Sequence, residues 1–364
     1  MAINIRKLLE GLLKHRASDL HLKVGQNPII RLNGVLRPID HPKLTQEDTE
    51  EANRTMMPER IRPIFEKAGA ADYSYGLGPL ERFRINAYHQ RGTTTLAIRA
   101  LRADILSLEA LNLPPIIAEF AKYRRGLVLV TGITGAGKSS TLSAILNKIN
   151  KTRREHIITI EDPIEFVYQD EKSIVDQVEV GFDIDDLESA IKNAVRQDPD
   201  IIMLGELRDK KTVSAAMHFV ETGHLVFSTL HTPDAKQTIL RILHFFPEEE
   251  HTLVNTQLAN SLTAVVCQRL LPTADGSGRM PCCEVLINTN VVQKLIRERR
   301  YDDISQLLAN EDSGMMAFDA SLVRLVKAGH VSEEEALSVA HDPSAFRRAL
   351  TGRTAGGDRR ALIG

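Results

Sequence analysis

The spacing of hydrophobic positions changes character once along the chain. Ile5, Leu8, Leu9, Leu12 and Leu13 recur at the three- and four-residue intervals of a helix with one buried face. The stretches "SDLHLKVG" and "IIRLNGVLRPI" then alternate apolar and polar positions as half-buried strands do, and Asn33-Gly34 is a tight-hairpin signal. "RFRINAYHQ" and "TTTLAIRAL" repeat the alternation around Arg91-Gly92. Residues 1–102 are therefore expected to form a small α+β domain on an antiparallel sheet. "ADILSLEALNLPP" (103–115) loses periodicity and ends in two prolines, which predicts a linker.

Beyond residue 115 the strands read differently. "LVLV" (127–130), "HIITI" (156–160), "IIML" (201–204) and "LVFSTL" (225–230) are unbroken apolar runs, as in strands buried on both faces of a parallel sheet. Helical patterns alternate with them: Leu142, Ile145, Leu146 and Ile149, then Leu187, Ala190, Ile191, Ala194 and Val195. This alternation predicts an α/β domain over residues 116–350, with helices on both faces of the sheet and a mostly helical portion from about 285. The Gly/Arg-rich end, residues 351–364, is expected to be a mobile tail.

Composition narrows the function classes. Lys and Arg number 46 against 48 Asp and Glu, a net charge of -2, so the chain lacks the basic footprint of a phosphate-backbone binder. Trp is absent and aromatics are 5% of residues, which leaves little for base stacking. Nucleic acid is not an expected partner. Cys267, Cys282 and Cys283 make no disulfide framework and no zinc spacing. Arg6, Lys7 and Glu10 interrupt the opening apolar run, so it does not read as a secretion signal, and no stretch reaches the ~18 apolar residues of a membrane span. The expectation is a soluble, cytoplasmic protein.

The chemistry concentrates at "VTGITGAGKSSTL" (130–142), where Gly132-x-x-x-x-Gly137-Lys138-Ser139 completes the phosphate-loop pattern between an apolar run and a helix. Glycines let successive amides converge on one anion, the helix terminus adds its dipole, Lys138 reaches the outer phosphates, and the Ser139 hydroxyl suits Mg²⁺. The expected nucleotide-binding residues are Gly132, Ile133, Thr134, Gly135, Ala136, Gly137, Lys138, Ser139 and Ser140. Hydrolysis also needs acids near the metal and the attacking water. Glu206 follows "IIML", with Gly205 where a strand-terminal Asp is usual; Glu161, Asp162 and Glu165 follow "HIITI". His224 and His231 flank the run 225–230 and are expected to sense the γ-phosphate, with an ordinary structural role as the alternative.

In order, "GITGAGKSS", "TIEDPIEF", "GELRD" and "TGHLVFSTLH" resemble the Walker A, Asp box, Walker B and His box of the secretion and type IV pilus ATPases. "SDLHLKVGQNPIIRLNG" is similar to the start of their PAS-like N-terminal domain. The resemblance spans about residues 1–350 and lies nearest the retraction (PilT/PilU-type) branch, since the extra N-terminal region and tetracysteine motif of the assembly branch are missing. It implies a PAS-like domain followed by a RecA-like ATPase domain, acting as a hexameric motor of pilus retraction and twitching motility with ATP and Mg²⁺; a nucleotide-gated scaffold with little turnover is the alternative. Glu165 would polarise the attacking water, Lys138 and Ser139 would hold phosphate and Mg²⁺, Glu206 would support the metal, and His224 and His231 would couple the γ-phosphate to domain rotation. Arg84 and Arg99, with Arg91 as a further option, would reach a neighbouring subunit's nucleotide. Implied partners are an inner-membrane platform protein at the pilus base, which would make the motor peripheral to that membrane, and a paralogous retraction ATPase. One segment departs from the PilT-type signature "AIRNLIRE": here "VVQKLIRERR" keeps only Leu295, Ile296, Arg297 and Glu298 in register, which bears on the PilT-type versus accessory PilU-type role.

Overall fold

The computed structural model describes residues 3–32, 34–78, 81–101, 104–308 and 314–351, so all but Thr351 of the tail expected at 351–364 lies outside the described residues, as do Asn33 and Ala103. The chain divides into two units. The first comprises Met1–Ile105 with Asp162–Gln169 and Val178–Asp186, and the second comprises Leu106–Glu161, Asp170–Gln177 and Leu187–Gly364. A linear division of the sequence does not anticipate the two short returns to the first unit.

In the first unit, helix α1 (Ile5–Lys14) leads into β1 (Asp19–Leu22), β2 (Ile29–Leu32) and β3 (Val35–Pro38). Helices α2 (Gln46–Met56) and α3 (Arg62–Ala68) precede β4 (Ala70–Gly76), β5 (Arg82–Gln90) and β6 (Thr93–Ala100). The antiparallel sheet has the order β3-β2-β1-β6-β5-β4. Alternation decides its buried face: Phe83, Ile85 and Ala87 of β5 and Leu96 and Ile98 of β6 join Leu9 and Leu12 of α1 in one core. The turn between β5 and β6 is two residues long, Arg91 (φ 51) and Gly92 (φ 77), both left-handed as a primed hairpin turn requires.

In the second unit the short α4 (Ile116–Glu119) precedes β7 (Gly126–Thr131), α5 (Lys138–Thr152), β8 (His156–Glu161), β9 (Ile174–Glu179) and α6 (Leu187–Ala194). Then follow β10 (Ile201–Leu204), α7 (Lys210–Glu221), β11 (Leu225–Leu230), α8 (Ala235–Leu243) and α9 (His251–Ser261). Strands β12 (Leu262–Pro272) and β13 (Arg279–Ile287) come next, with α10 (Asn290–Arg297), α11 (Tyr301–Leu308), α12 (Phe318–Lys327), α13 (Glu333–Val339) and α14 (Pro343–Leu350) at the end. The sheet order is β13-β12-β7-β11-β10-β8-β9. β12, β7, β11, β10 and β8 run parallel, and β13 pairs antiparallel with β12. Every residue of β7, β10 and β11 is buried, which is why those strands carry apolar residues and, besides Gly126, only the small hydroxyl side chains Thr131, Ser228 and Thr229. Phe318, Leu322, Val331, Ala336 and Phe346 of the C-terminal segment pack on Leu271, Met280 and Cys282 of the β12–β13 pair. The three cysteines are free and buried; burial pushes the Cys282 thiol up to about 12 and those of Cys267 and Cys283 well above their ordinary range. None of the described helices is long and apolar enough to cross a membrane.

Candidate nucleotide site

At the carboxyl edge of the second unit's sheet, β7 ends at Thr131 and the loop 132–137 turns into α5. Gly132 (φ 142), Gly135 (φ 81) and Gly137 (φ 87) all hold backbone that disfavours a side chain. Space forbids one as well at Gly132, where a Cβ would lie 2.2 Å from the Gln268 carbonyl oxygen. Ile133, Thr134 and Gly135 form the exposed lip, and Ala136 is buried with its amide on the Ile133 carbonyl at 3.1 Å. α5 starts at Gly137 with no side-chain cap. Its first-turn amides, which have no intrahelical acceptor, and its positive dipole end therefore face the loop, with Ser139 and Ser140 half-buried in that turn. Leu142, Ile145, Leu146 and Ile149 bury the other face of the helix and fix it on the sheet.

The Lys138 ammonium curls back over the loop, donating to the carbonyls of Gly132 (2.8 Å) and Ile133 (3.3 Å), and lies 3.3 Å from His231 Nδ1. His231 follows β11, and its Nε2 is 3.2 Å from a carboxylate oxygen of Glu206. The other Glu206 oxygen accepts from Arg208 Nε at 3.0 Å. Three strands thus deliver a lysine, a histidine and a glutamate to one continuous polar run. At Gly205 the amide donates to the Ile160 carbonyl at 2.9 Å, and a Cβ would sit 3.3 Å from that oxygen, a close contact that a small shift would relieve. Thr229 Oγ1 donates to the Gly205 carbonyl at 2.7 Å and pins the Glu206 turn to β11. Glu161, buried at the end of β8, accepts from Thr159 Oγ1 (2.7 Å) and Gln177 Nε2 (3.1 Å). The Ser139 hydroxyl and the Glu206 carboxylate are hard oxygen donors of the kind that could hold Mg²⁺.

Other expected site residues lie elsewhere. His224 precedes β11 and so stands at the amino edge, about 20 Å along the strand from His231. Its Nδ1 meets the Phe219 carbonyl at 2.9 Å and Thr222 Oγ1 at 3.0 Å, closing the end of α7. The expectation that both histidines share the phosphate edge is thereby corrected. Glu165 is exposed on Asp162–Gln169, a segment of the first unit. Its loop is held by Glu179, which accepts from the Ile164 amide (3.3 Å) and from Ser74 Oγ of β4 (2.5 Å). Arg84 and Arg99 are direct cross-strand partners on the first unit's sheet, and Arg99 pairs with Asp19 at 2.9 Å. Arg91 sits in the hairpin turn at the far end of the same strands. Gln268 had no motif to mark it, yet its side chain is bonded to the phosphate loop: Nε2 donates to the Ala136 carbonyl (2.8 Å) and Oε1 accepts from Thr141 Oγ1 (2.7 Å).

A glycine-built anion cradle at the carboxyl edge of a largely parallel sheet, flanked by a lysine and a strand-end acid, defines a P-loop nucleotide-binding α/β protein. The family model described as "Type II/IV secretion system protein" matches residues 1–337. The type IV pilus ATPase PilU of Pseudomonas aeruginosa is 39% identical over 95% of this chain and 91% of its own length. The type IV pilus retraction ATPase PilT of the same organism is also 39% identical, over 94% of this chain and 100% of its own. A crystal structure of the pilus retraction motor PilT with bound ADP aligns with a TM-score of 0.88 at 39% identity, covering 95% of this chain and 99% of that one. The chain belongs to the type II/IV secretion system protein family and, within it, to the PilT/PilU-type ATPases.

Proposed function

We propose that this chain hydrolyses ATP to drive retraction of a type IV pilus, as a motor of the PilT/PilU type. The observation that carries this role is the run Lys138–His231–Glu206 beside an open helix terminus, in a chain that matches type IV pilus ATPases, one of them a retraction ATPase, over nearly their whole length. The loop amides and Lys138 would bind the triphosphate. Mg²⁺, held by Ser139 and Glu206 partly through water, would offset phosphate charge. His231 lies between Lys138 and Glu206, so a γ-phosphate that draws Lys138 away would leave His231 with Glu206 as its partner in this run. Glu165 would polarise the attacking water, whose oxygen bonds the γ-phosphorus as the bond to ADP breaks.

The first unit would be PAS-like, the second RecA-like, and six chains would form a ring. Arg84 and Arg99 are suited to act on a neighbour's nucleotide: they are cross-strand neighbours, both exposed, and Arg99 pairs with Asp19. Arg84 has Asp72 only at 3.8 Å. Differential affinity of ATP and ADP for open and closed arrangements would turn hydrolysis into rotation of the units. The motor would work from the cytoplasm against a platform protein at the inner membrane.

Equal identity to PilU and PilT, with the altered segment at 291–300, favours a second version in which the chain needs a paralogous retraction ATPase. The test is a Glu206→Gln variant returned to cells lacking the gene, with surface pili counted and retraction timed. Retraction should stop while the protein still accumulates and binds nucleotide. Unchanged retraction in a variant shown to lack turnover would refute the motor role, and retraction by the wild-type chain only beside a paralogue would establish the accessory version.

A further inference from the structure

Gln268 is buried in the middle of β12, the strand beside β7. Its amide reaches both sides of the turn into α5, as a donor to Ala136 and an acceptor from Thr141. The same residue bounds both motif glycines, since a Cβ at Gly132 would lie 2.2 Å from its carbonyl oxygen and one at Gly137 would lie 2.9 Å from its Nε2. One carbonyl and one hydroxyl need one donor and one acceptor at a fixed separation. Only a neutral amide of this length supplies both: glutamate loses the donor, asparagine is one methylene short, and methionine keeps the shape with neither group.

We propose that Gln268 is a positioning residue for nucleotide binding: it holds Ala136 and the first turn of α5 in register, so that the loop amides converge before the triphosphate arrives. The benefit is pre-organisation, since a loop already ordered loses less entropy on binding. This inference rests on residues 132–140 being the triphosphate cradle.

Full-length Gln268→Met, Gln268→Glu and Thr141→Val are compared with wild type by titrating a fluorescent ADP analogue, by kcat and KM for ATP, and by melting without nucleotide. Gln268→Met should weaken binding and raise KM about tenfold, the usual effect of losing a buried hydrogen bond or two, while kcat changes less than about threefold. Thr141→Val should produce a smaller shift of the same kind, and its effect should disappear in the Gln268→Met background. Gln268→Glu should bind weakly at pH 8 and recover towards pH 5.5 as its carboxyl regains a proton to donate, whereas the Gln268→Met deficit should not depend on pH. The inference is overturned if Gln268→Met and Thr141→Val keep wild-type affinity, or if the methionine and glutamate variants lose the same affinity at every pH, which marks packing alone. Lys138→Ala separates the premise: normal analogue binding there removes the cradle itself, whereas loss there with normal binding in the Gln268 variants removes only the role of Gln268.

Discussion

Gly132, Gly135 and Gly137 share positive φ values but differ in what surrounds them. A methyl group at Gly132 meets backbone of β12, which cannot move without breaking the sheet; at Gly137 it meets the end of a side chain, and at Gly135 it meets open space. Gly132→Ala should therefore weaken nucleotide binding more than about tenfold, whereas Gly135→Ala carries only the backbone cost of about 1 kcal/mol. Equilibrium titration with an ATP analogue checks this order, and a larger loss at Gly135 would contradict it. The three glycines were legible because their spacing is a local signal. Gln268 was not, because it is a single polar residue inside "AVVCQRLL" whose partners lie far away in sequence. His224 and His231 needed only the direction of the strand to be told apart: a residue before a strand lies at its amino edge, away from a phosphate loop at the carboxyl edge.

Among the elements, β7, β8, β10 and β11 are legible as mainly apolar runs, since burial on both faces disfavours long polar side chains within them. β12 and β13 are less legible, because the long polar side chains of Gln268 and Glu284 are buried in their interiors, where β7, β10 and β11 carry only apolar residues, glycine and small hydroxyl groups. Glu284 accepts from the Ala235 amide at 2.8 Å, at the start of the helix that follows the His231 loop. Burial raises its carboxyl from 4.5 to about 7, the Ala235 bond opposes that rise, and the neighbouring Asp234 and Asp319 add to it. The folded chain thus holds this proton more tightly than the unfolded chain. Its contribution to stability is greatest below about pH 4.5, declines as pH rises to about 7, and is level beyond. Glu284→Gln keeps the acceptor and removes the titration, so it should melt above wild type at pH 8, by at most about 3 kcal/mol of stability. The two should converge near pH 4.5, as measured by thermal unfolding across pH. A gap that stays constant with pH would rule out the buried proton.

For the whole molecule, the proposed ring makes a prediction that one chain cannot fulfil alone. If Arg84 and Arg99 serve a neighbour's nucleotide, Arg99→Ala chains lack the arginine they lend and Lys138→Ala chains lack the cradle. Mixing them should create interfaces that have both, so phosphate release should exceed that of either variant alone. No recovery in mixed assemblies of verified size would count against action in trans. The change from alternating to continuous apolar spacing falls near Ile105, where the opening segment of the first unit ends. The return of residues 162–169 and 178–186 to the first unit was hidden, because it depends on long-range anchors such as Ser74 and Glu179.

Steady-state phosphate release from Mg-ATP by the purified full-length chain, beside Lys138→Ala, is the most direct test of the account. It predicts sustained turnover by the wild type and a loss of about a hundredfold or more in the variant, which gives up a charge-assisted contact to the transferred phosphoryl group. Equal rates from the two proteins, or no turnover by a wild type that binds nucleotide and assembles, would contradict it.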